Sequence, residues 1–405
     1  MRDRRRGGDT RRTADRPTGE TQADVIDLTD EALRRQRARL RRVVALIPAH
    51  NEAGHIVATV QSLRDQTRPL DRIIVLADNC TDATPELAAA AGAEVVVTVD
   101  NAAKKAGALN QGLALVMPTL DDDDLVLCMD ADSRLRPDFM EQAVELLSVH
   151  PDVGGLSGAL VAREHHNYLE LAQAVEYARG SRQVARKGGQ VHVLSGAAAV
   201  MRVGVLREVA RSRGTRLPGA PGSIYMEDSL TEDYELTLAV RRLGYRCICT
   251  KRCQVVTDVM PTLRDLAQQR VRWYRGAMES LSLYGWSELT HKTWAQVGLQ
   301  FLSSLVLPLL IVLIAVTFIF FDPILDARWF VIWPILWIDQ WVVFRRLGIG
   351  FVASLRWFFP LLVYDYLLFV FSWLALTRLA KQTERTWITG SVVPNRKEHV
   401  CTEVG

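Results

Sequence analysis

From Val43 onward, short apolar runs alternate with amphipathic stretches. Val43 to Ile47, Arg72 to Ala77, Glu94 to Thr98 and Leu125 to Met129 read as strands, the last of them buried, and Glu52 to Asp65, Asp82 to Ala91 and Ala102 to Val116 as the helices between them. Strand and helix in alternation with short connections predict a parallel α/β sheet with right-handed crossovers. Such sheets bind ligands beyond the carboxyl ends of their strands. Here those ends are polar: Pro48-Ala49-His50-Asn51-Glu52, then Asp78-Asn79-Cys80-Thr81-Asp82, and Asp130-Ala131-Asp132 after the central strand.

Past Pro137 the pattern is less regular, with helices expected near 137–149, 166–187 and 231–243. Between them Val191 to Met201 is mostly apolar and holds Ser195-Gly196-Ala197. Arg211 to Ile224 is a long Gly/Pro/Arg loop, which reads either as a lid or substrate-facing insertion or as a plain surface loop. Thr231 stands as N-cap before Glu232 and Asp233. Thr262 to Tyr284 mixes Arg264, Arg270, Arg272 and Arg275 with Leu266, Val271, Trp273 and Tyr274, the pattern of an interfacial helix.

After Trp294 the chain becomes apolar and rich in Trp, Phe and Leu. Gln296 to Phe321 and Trp357 to Thr377 are long enough to span a bilayer, whereas Trp329 to Phe344 is short and contains Pro334 and Asp339. Two or three spans are compatible with this pattern. The basic residues Arg345, Arg346 and Arg356, against Arg378, Lys381 and Arg385, do not choose between them. Asp339 and Asp365 are costly in hydrocarbon, so each is expected to face a protein interior or a polar path. Residues 1–38 are rich in Arg, Asp, Thr and Gly, and predict a disordered cytosolic tail with neither a secretory signal nor a preceding span.

Composition sharpens this division. The chain has 405 residues, 49% of them hydrophobic, and a net charge of +3, too near balance for a nucleic-acid partner. Its six cysteines form no secreted disulfide framework. Cys247, Cys249 and Cys253 lack the His or second Cys pair that a zinc site needs, and the first two fall in an expected strand.

The candidate chemistry is acidic. Asp130 and Asp132 end the central strand and offer only oxygen, so they either share a hard cation such as Mg²⁺ or Mn²⁺ or form a solvated acidic turn. Asp233, in the first turn of its helix, is either a dipole partner or a reacting carboxylate. Neither G-x-G-x-x-G after the first strand nor G-x-x-x-x-G-K-[ST] is present, which argues against dinucleotide and P-loop chemistry.

Taken in order, the segments at Pro48–Glu52, Asp78–Asp82, Lys105–Asn110, Asp130–Asp132, Ser195–Ala197, Thr231–Asp233 and Gln269–Trp273 resemble the membrane-bound family 2 glycosyltransferases, the group that includes cellulose, chitin, hyaluronan and poly-N-acetylglucosamine synthases. The resemblance covers about residues 43–380. It implies a GT-A catalytic domain (Rossmann-like, mostly parallel sheet) over 39–260, an amphipathic interface helix over 261–290, transmembrane helices over 291–380 and a tail over 381–405.

The resemblance also implies roles. Pro48, Glu52, Asp78, Lys105, Asp130, Asp132, Gln269 and Arg272 would bind a nucleotide-sugar donor, with Mg²⁺ or Mn²⁺ on Asp130 and Asp132. Ser195, Gly196, Glu232 and Trp273 would hold the acceptor, and Asp233 would be the base of a single inverting displacement. The implied product is a β-linked polysaccharide made at the cytoplasmic face of the cell membrane by a multi-pass protein; the alternatives are transfer of one sugar to a lipid carrier or glycolipid, or a scaffold with an inactive transferase domain. Two departures stand out: Ala77-Asp78 supplies one acid where many relatives have two, and the spans that precede the catalytic domain in many synthases are missing.

Overall fold

The computed structural model describes residues 41–163, 166–320 and 332–381. The expected N-terminal tail and the C-terminal tail beyond Lys381 lie outside the described residues, as does the Asp339 side chain. Strands β1 (Val43–Ala49), β2 (Arg72–Ala77), β3 (Glu94–Val97) and β4 (Leu125–Met129) form where the apolar runs place them, joined by α1 (Ile56–Arg64), α2 (Thr84–Ala90) and α3 (Lys104–Val116). The helices start later than expected because their leading polar residues bond across strand ends. Glu52 N donates to Thr84 Oγ1 at 2.7 Å, and the Asp82 carboxylate accepts from Ala53 N and Thr84 N.

The sheet has eight strands in the order β3-β2-β1-β4-β7-β6-β8-β5, where β5 is Arg134–Leu135, β6 Val153–Ala162, β7 Ala198–Arg202 and β8 Arg246–Thr257. From β3 to β4 it is parallel, as expected. The other half is mixed, so the expected mostly parallel sheet holds only for the first half. β7 runs antiparallel to both β4 and β6, while β8 is parallel to β6. The chain leaves β6 at the ligand-binding edge, makes the excursion of α5 (Tyr168–Arg186), and re-enters at that same edge, which forces β7 to run backwards.

The reversal decides what gathers at the site. The edge holds the C-terminal ends of β1, β2, β4, β6 and β8 together with the N-terminal end of β7, so Ser195-Gly196-Ala197 arrives beside Asp130. Every residue of β4 is buried, and successive side chains enter two cores: Leu125, Leu127 and Met129 meet α1 and α4 (Phe139–Val149), while Val126 and Cys128 meet α3 and α6 (Val203–Ser212). The expected loop therefore begins only after α6. It is no free lid: Arg213 is fully buried, and Asn110 of α3 holds Tyr225 through both its backbone N–H and its C=O.

Two helices join this domain to the C-terminal region: α7 (Glu232–Arg242), and α8 (Leu263–Tyr284), whose Thr262 cap accepts from Asp265 N. Beyond them lie α9 (His291–Phe320), α10 (Ile332–Arg346) and α11 (Phe351–Ala380). A third apolar cluster, including Val175, Leu266, Val271, Met278, Phe344, Leu361 and Phe371, binds α5 and α8 to α10 and α11. Among the described residues, one helix, α11, is long and apolar enough to cross a membrane. α9 packs on α11 through Trp373 Nε1, which donates to Ser304 Oγ at 2.7 Å, and leaves Leu302, Leu305, Leu309 and Leu313 exposed. Asp365 of α11 meets protein, as expected: both of its oxygens accept from Arg179 of α5, at 2.9 and 2.8 Å.

Candidate active site

Lys105, in the first turn of α3, stands between the sheet edge and α7. Its Nζ lies 2.5 Å from Asp130 Oδ1 and 3.3 Å from Glu232 Oε1, and it donates to Gly196 O at 3.4 Å. Burial alone would weaken its charge, but Asp130, Glu232 and Asp233 outweigh that and hold its pKa above the usual lysine range. One fixed cation thus ties together carboxylates from β4 and α7.

Asp233 is half-buried beside this cation. Its Oδ2 accepts from Gly196 N at 2.9 Å and its Oδ1 from Tyr234 N at 2.7 Å. Loss of water and the neighbouring Glu232 push its pKa up to about 6, while Lys105 and the Gly196 N–H pull the other way. A carboxyl poised there can take a proton near neutral pH and later give it up. Behind it lies a small cavity lined by Cys128, Tyr225 and Leu109.

A second polar pocket surrounds Asp78 at the end of β2. Asp78 Oδ1 accepts from Thr98 Oγ1 (2.7 Å), Asn101 Nδ2 (2.8 Å) and Asn79 Nδ2 (3.1 Å), and its backbone oxygen contacts His50 Nδ1. Four non-glycine residues at this edge, Asn51, Asn79, Asp100 and Lys104, adopt left-handed backbone angles, the kind of local strain that clusters at ligand sites. Gly107 of α3 permits the packing, since a Cβ there would lie 2.0 Å from Asn101 Oδ1. Pro48 stays in β1 opposite Leu76.

Asp132 belongs to a third group. Burial raises its pKa, as do Glu52 and Asp258, while His55 opposes them. His55 Nδ1 contacts Glu52 Oε2 at 3.0 Å, and Arg163 links Asp258 to the backbone oxygen of Asp132. Asp130 is likewise raised by burial, with Lys105 partly offsetting it. Two crowded carboxylates at one strand end offer oxygen alone, the donor type that suits Mg²⁺ or Mn²⁺, with Lys105 on the Asp130 side and His55 and Arg163 on the Asp132 side.

α8 brings the remaining residues. Trp273 is half-buried, with the Arg270 guanidinium over one face of its ring at 4.4 Å. Gln269 Oε1 accepts from Arg270 NH1 at 2.8 Å. Arg272 is near enough to Lys104 to lower its pKa, after burial. Thus the lysine facing Arg272 is Lys104, while Lys105, expected near the nucleotide, is engaged with Asp130 and Glu232. Ser195 Oγ accepts from Ala197 N at 3.4 Å. Thr231 occupies the N-cap position but makes no capping bond; its buried hydroxyl has no partner among the described residues and packs against Gly276 of α8, where a Cβ would lie 2.7 Å away. The sequence reading missed Lys104, Asp258 and the structural role of Arg270. Only the last had a signal, an arginine on the apolar side of an amphipathic helix.

The family model of glycosyl transferase family group 2 matches residues 125–389. The poly-beta-1,6-N-acetyl-D-glucosamine synthase of Staphylococcus epidermidis is 24% identical over 283 residues, covering 65% of this chain and 64% of the relative. That of Staphylococcus aureus strain MSSA476 is 25% identical over 248 residues, covering 60% of this chain and 56% of the relative. The chain therefore spans less than two thirds of the length of these relatives. Among solved structures, the mannosyltransferase PcManGT from Pyrobaculum calidifontis, in complex with GDP-Man and Mn2+, superposes with a TM-score of 0.55 at 17% identity, over 89% of this chain and 97% of that one, a likeness of fold.

Proposed function

Because the chain belongs to glycosyl transferase family group 2, we propose that it moves a sugar from a UDP-sugar to the end of a β-linked polysaccharide, with inversion, at the cytoplasmic face of a membrane. The observation that carries this reading is Asp233, held by Gly196 N beside the Lys105–Asp130 pair with a pKa of about 6. In this reading an acceptor hydroxyl attacks the anomeric carbon, the bond to the nucleoside diphosphate breaks, and Asp233 takes the hydroxyl proton. Gly196 N–H fixes one carboxylate oxygen, leaving lone pairs on both oxygens for that proton.

Asp78, oriented by Thr98 and Asn101, would accept from the base or ribose. Glu52 and Pro48 close the same edge. Arg272 and Lys104 offer positive charge to the diphosphate, Gln269 helps hold it, and Trp273 offers a ring to the acceptor sugar, with Ser195 and Glu232 lining the acceptor side. Asp130 and Asp132 would hold Mg²⁺ or Mn²⁺, which when bound neutralises charge on the leaving diphosphate. N-acetylglucosamine is the sugar favoured by the named relatives.

Membrane attachment rests on α11 and on the exposed leucine face of α9, which together read as at least two spans. The domain limits are proposed at 39–260, 261–290 and 291–380. The test is to incubate the full chain in lipid with Mg²⁺ or Mn²⁺ and a panel of UDP-sugars, following UDP release and product size. Turnover of UDP-N-acetylglucosamine that EDTA abolishes and Mg²⁺ or Mn²⁺ restores is expected. Full turnover in excess EDTA would sink the metal assignment, and no turnover of any donor would sink the reading.

A further inference from the structure

Arg270 lies on α8 next to two residues of the proposed site, yet it does not face solvent. Only 1% of its surface is exposed. Its NH1 donates to Gln269 Oε1 at 2.8 Å, and its guanidinium covers one face of Trp273. Its NH2 donates to Glu176 Oε2 at 2.8 Å, on α5. The same Glu176 oxygen accepts from the hydroxyl of Tyr364, at 2.5 Å, and Tyr364 sits on α11 with 1% of its surface exposed. Three helices from distant parts of the chain therefore converge on one carboxylate oxygen.

A buried arginine is tolerated where its charge is met, and here both terminal nitrogens have specific partners, while Nε finds none among the described residues. Around it, Gln269 and Trp273 belong to the proposed site, Glu176 is the counter-charge, Tyr177 is a further neighbour on α5, and Tyr364 belongs to α11. Arg179, one turn further along α5, repeats the α5–α11 link through Asp365.

We propose that Glu176, Arg270 and Tyr364 are positioning residues that hold a platform, Trp273 on the acceptor side with Gln269 on the diphosphate side, in register with α11. The inference rests on the transferase reading for the meaning of that platform. None of the three touches substrate. Arg270 fixes the Trp273 ring and turns the Gln269 amide, Glu176 fixes Arg270, and Tyr364 ties Glu176 to the membrane segment. A displacement of α11 would thus reach the acceptor site without passing through the donor pocket around Asp78.

The test uses Tyr364→Phe, which removes one hydroxyl and keeps the ring, and Glu176→Gln, which keeps the shape and removes the charge, both in the full chain in lipid nanodiscs. Two readouts are taken. In hydrogen–deuterium exchange, both variants should speed exchange over residues 266–275 while leaving β1, β2 and β4 unchanged. With UDP-N-acetylglucosamine as donor and a β-1,6-linked N-acetylglucosamine oligomer as acceptor, Tyr364→Phe should raise the acceptor KM roughly tenfold, the scale of one hydrogen bond to a charged group. The donor KM should rise by less, because Asp78, Lys104 and Arg272 also hold the donor side in the proposed reading.

Unchanged exchange over 266–275 in both variants would overturn the coupling, whatever the activity. Faster exchange with an unchanged acceptor KM would overturn the positioning of the platform. A wild-type chain that turns over no UDP-N-acetylglucosamine counts against the donor reading instead, and exchange alone then decides the coupling.

Discussion

The backbone N–H of Gly196 and Oδ2 of Asp233 meet at 2.9 Å, joining the segment that opens β7 to the first turn of α7. This contact fixes where the Asp233 carboxylate sits and leaves it lone pairs for a proton. It also makes the role of Asp233 separable from the stability of the helix.

Asp233→Asn keeps one oxygen, which can accept from Gly196 N but leaves Tyr234 N facing the amide NH2, so the variant should fold with some loss of stability and bind UDP-N-acetylglucosamine nearly as wild type does. If Asp233 takes the acceptor proton, turnover should fall by roughly 10²-fold or more, the scale of a lost general base. A mere helix-dipole partner would cost only about 0.3–1 kcal/mol of stability and no turnover. Isothermal binding beside a turnover assay decides between them, and near-normal polymer synthesis by the folded variant removes Asp233 from the mechanism.

The pH profile follows from the same group. A base works only when deprotonated, so kcat/KM should fall as pH drops below about 6, where Asp233 takes up its proton, by roughly tenfold per unit for a single ionisation. Burial is the largest cause of the raised pKa and Glu232 the next. Glu232→Gln removes the second cause, so its acid limb should move to lower pH. An unmoved limb would show that another group sets it.

Arg213 and Glu235 form a forked ion pair with both side chains wholly inside the protein, at 2.6 and 2.8 Å, and Tyr284 donates to the same carboxylate. Glu235→Gln leaves the guanidinium short of its counter-charge and should cost roughly 3–5 kcal/mol, whereas replacing the pair by Met and Leu should recover most of that loss. Urea unfolding of the three proteins in detergent would test this. A single variant as stable as wild type would mean that the loop after α6 does not depend on the pair. Because Asp233 lies two residues before Glu235 on α7, turnover should fall with stability in the single variant.

In the parallel half of the sheet, β1 and β4 were legible because they are buried on both faces and show as unbroken apolar runs, Leu125 to Met129 above all. β6 was not: Gly154, Gly155 and Gly158 dilute its pattern, and its place depends on partners far along the chain. The acidic positions of the site were legible from their order along the chain. The direction of a long side chain was not: that Lys105 would reach both Asp130 and Glu232 could not be read from its place in the chain. Arg270 was hidden for a different reason: an arginine in an amphipathic helix before apolar segments suits a wet interface equally well, and its partner Glu176 lies 94 residues earlier.

The reversal of β7 leaves a mark on the opposite rim of the sheet. With the chemistry gathered at one edge, the other carries ordinary staples: Asp124 accepts from Arg42 N and Asp121 N, Asp71 accepts from Val43 N, and Asp122 pairs with Arg207. The acidic run Asp121 to Asp124 thus only anchors the start of β4, although it sits in the sequence just ahead of Asp130 and Asp132. Evolution and protein engineers therefore have unequal freedom at the two rims. A loop lengthened between α3 and β4, or a tag spliced there, would challenge a few surface pairings, whereas a single inserted residue at the facing rim would slide a start of one strand past the ends of its neighbours.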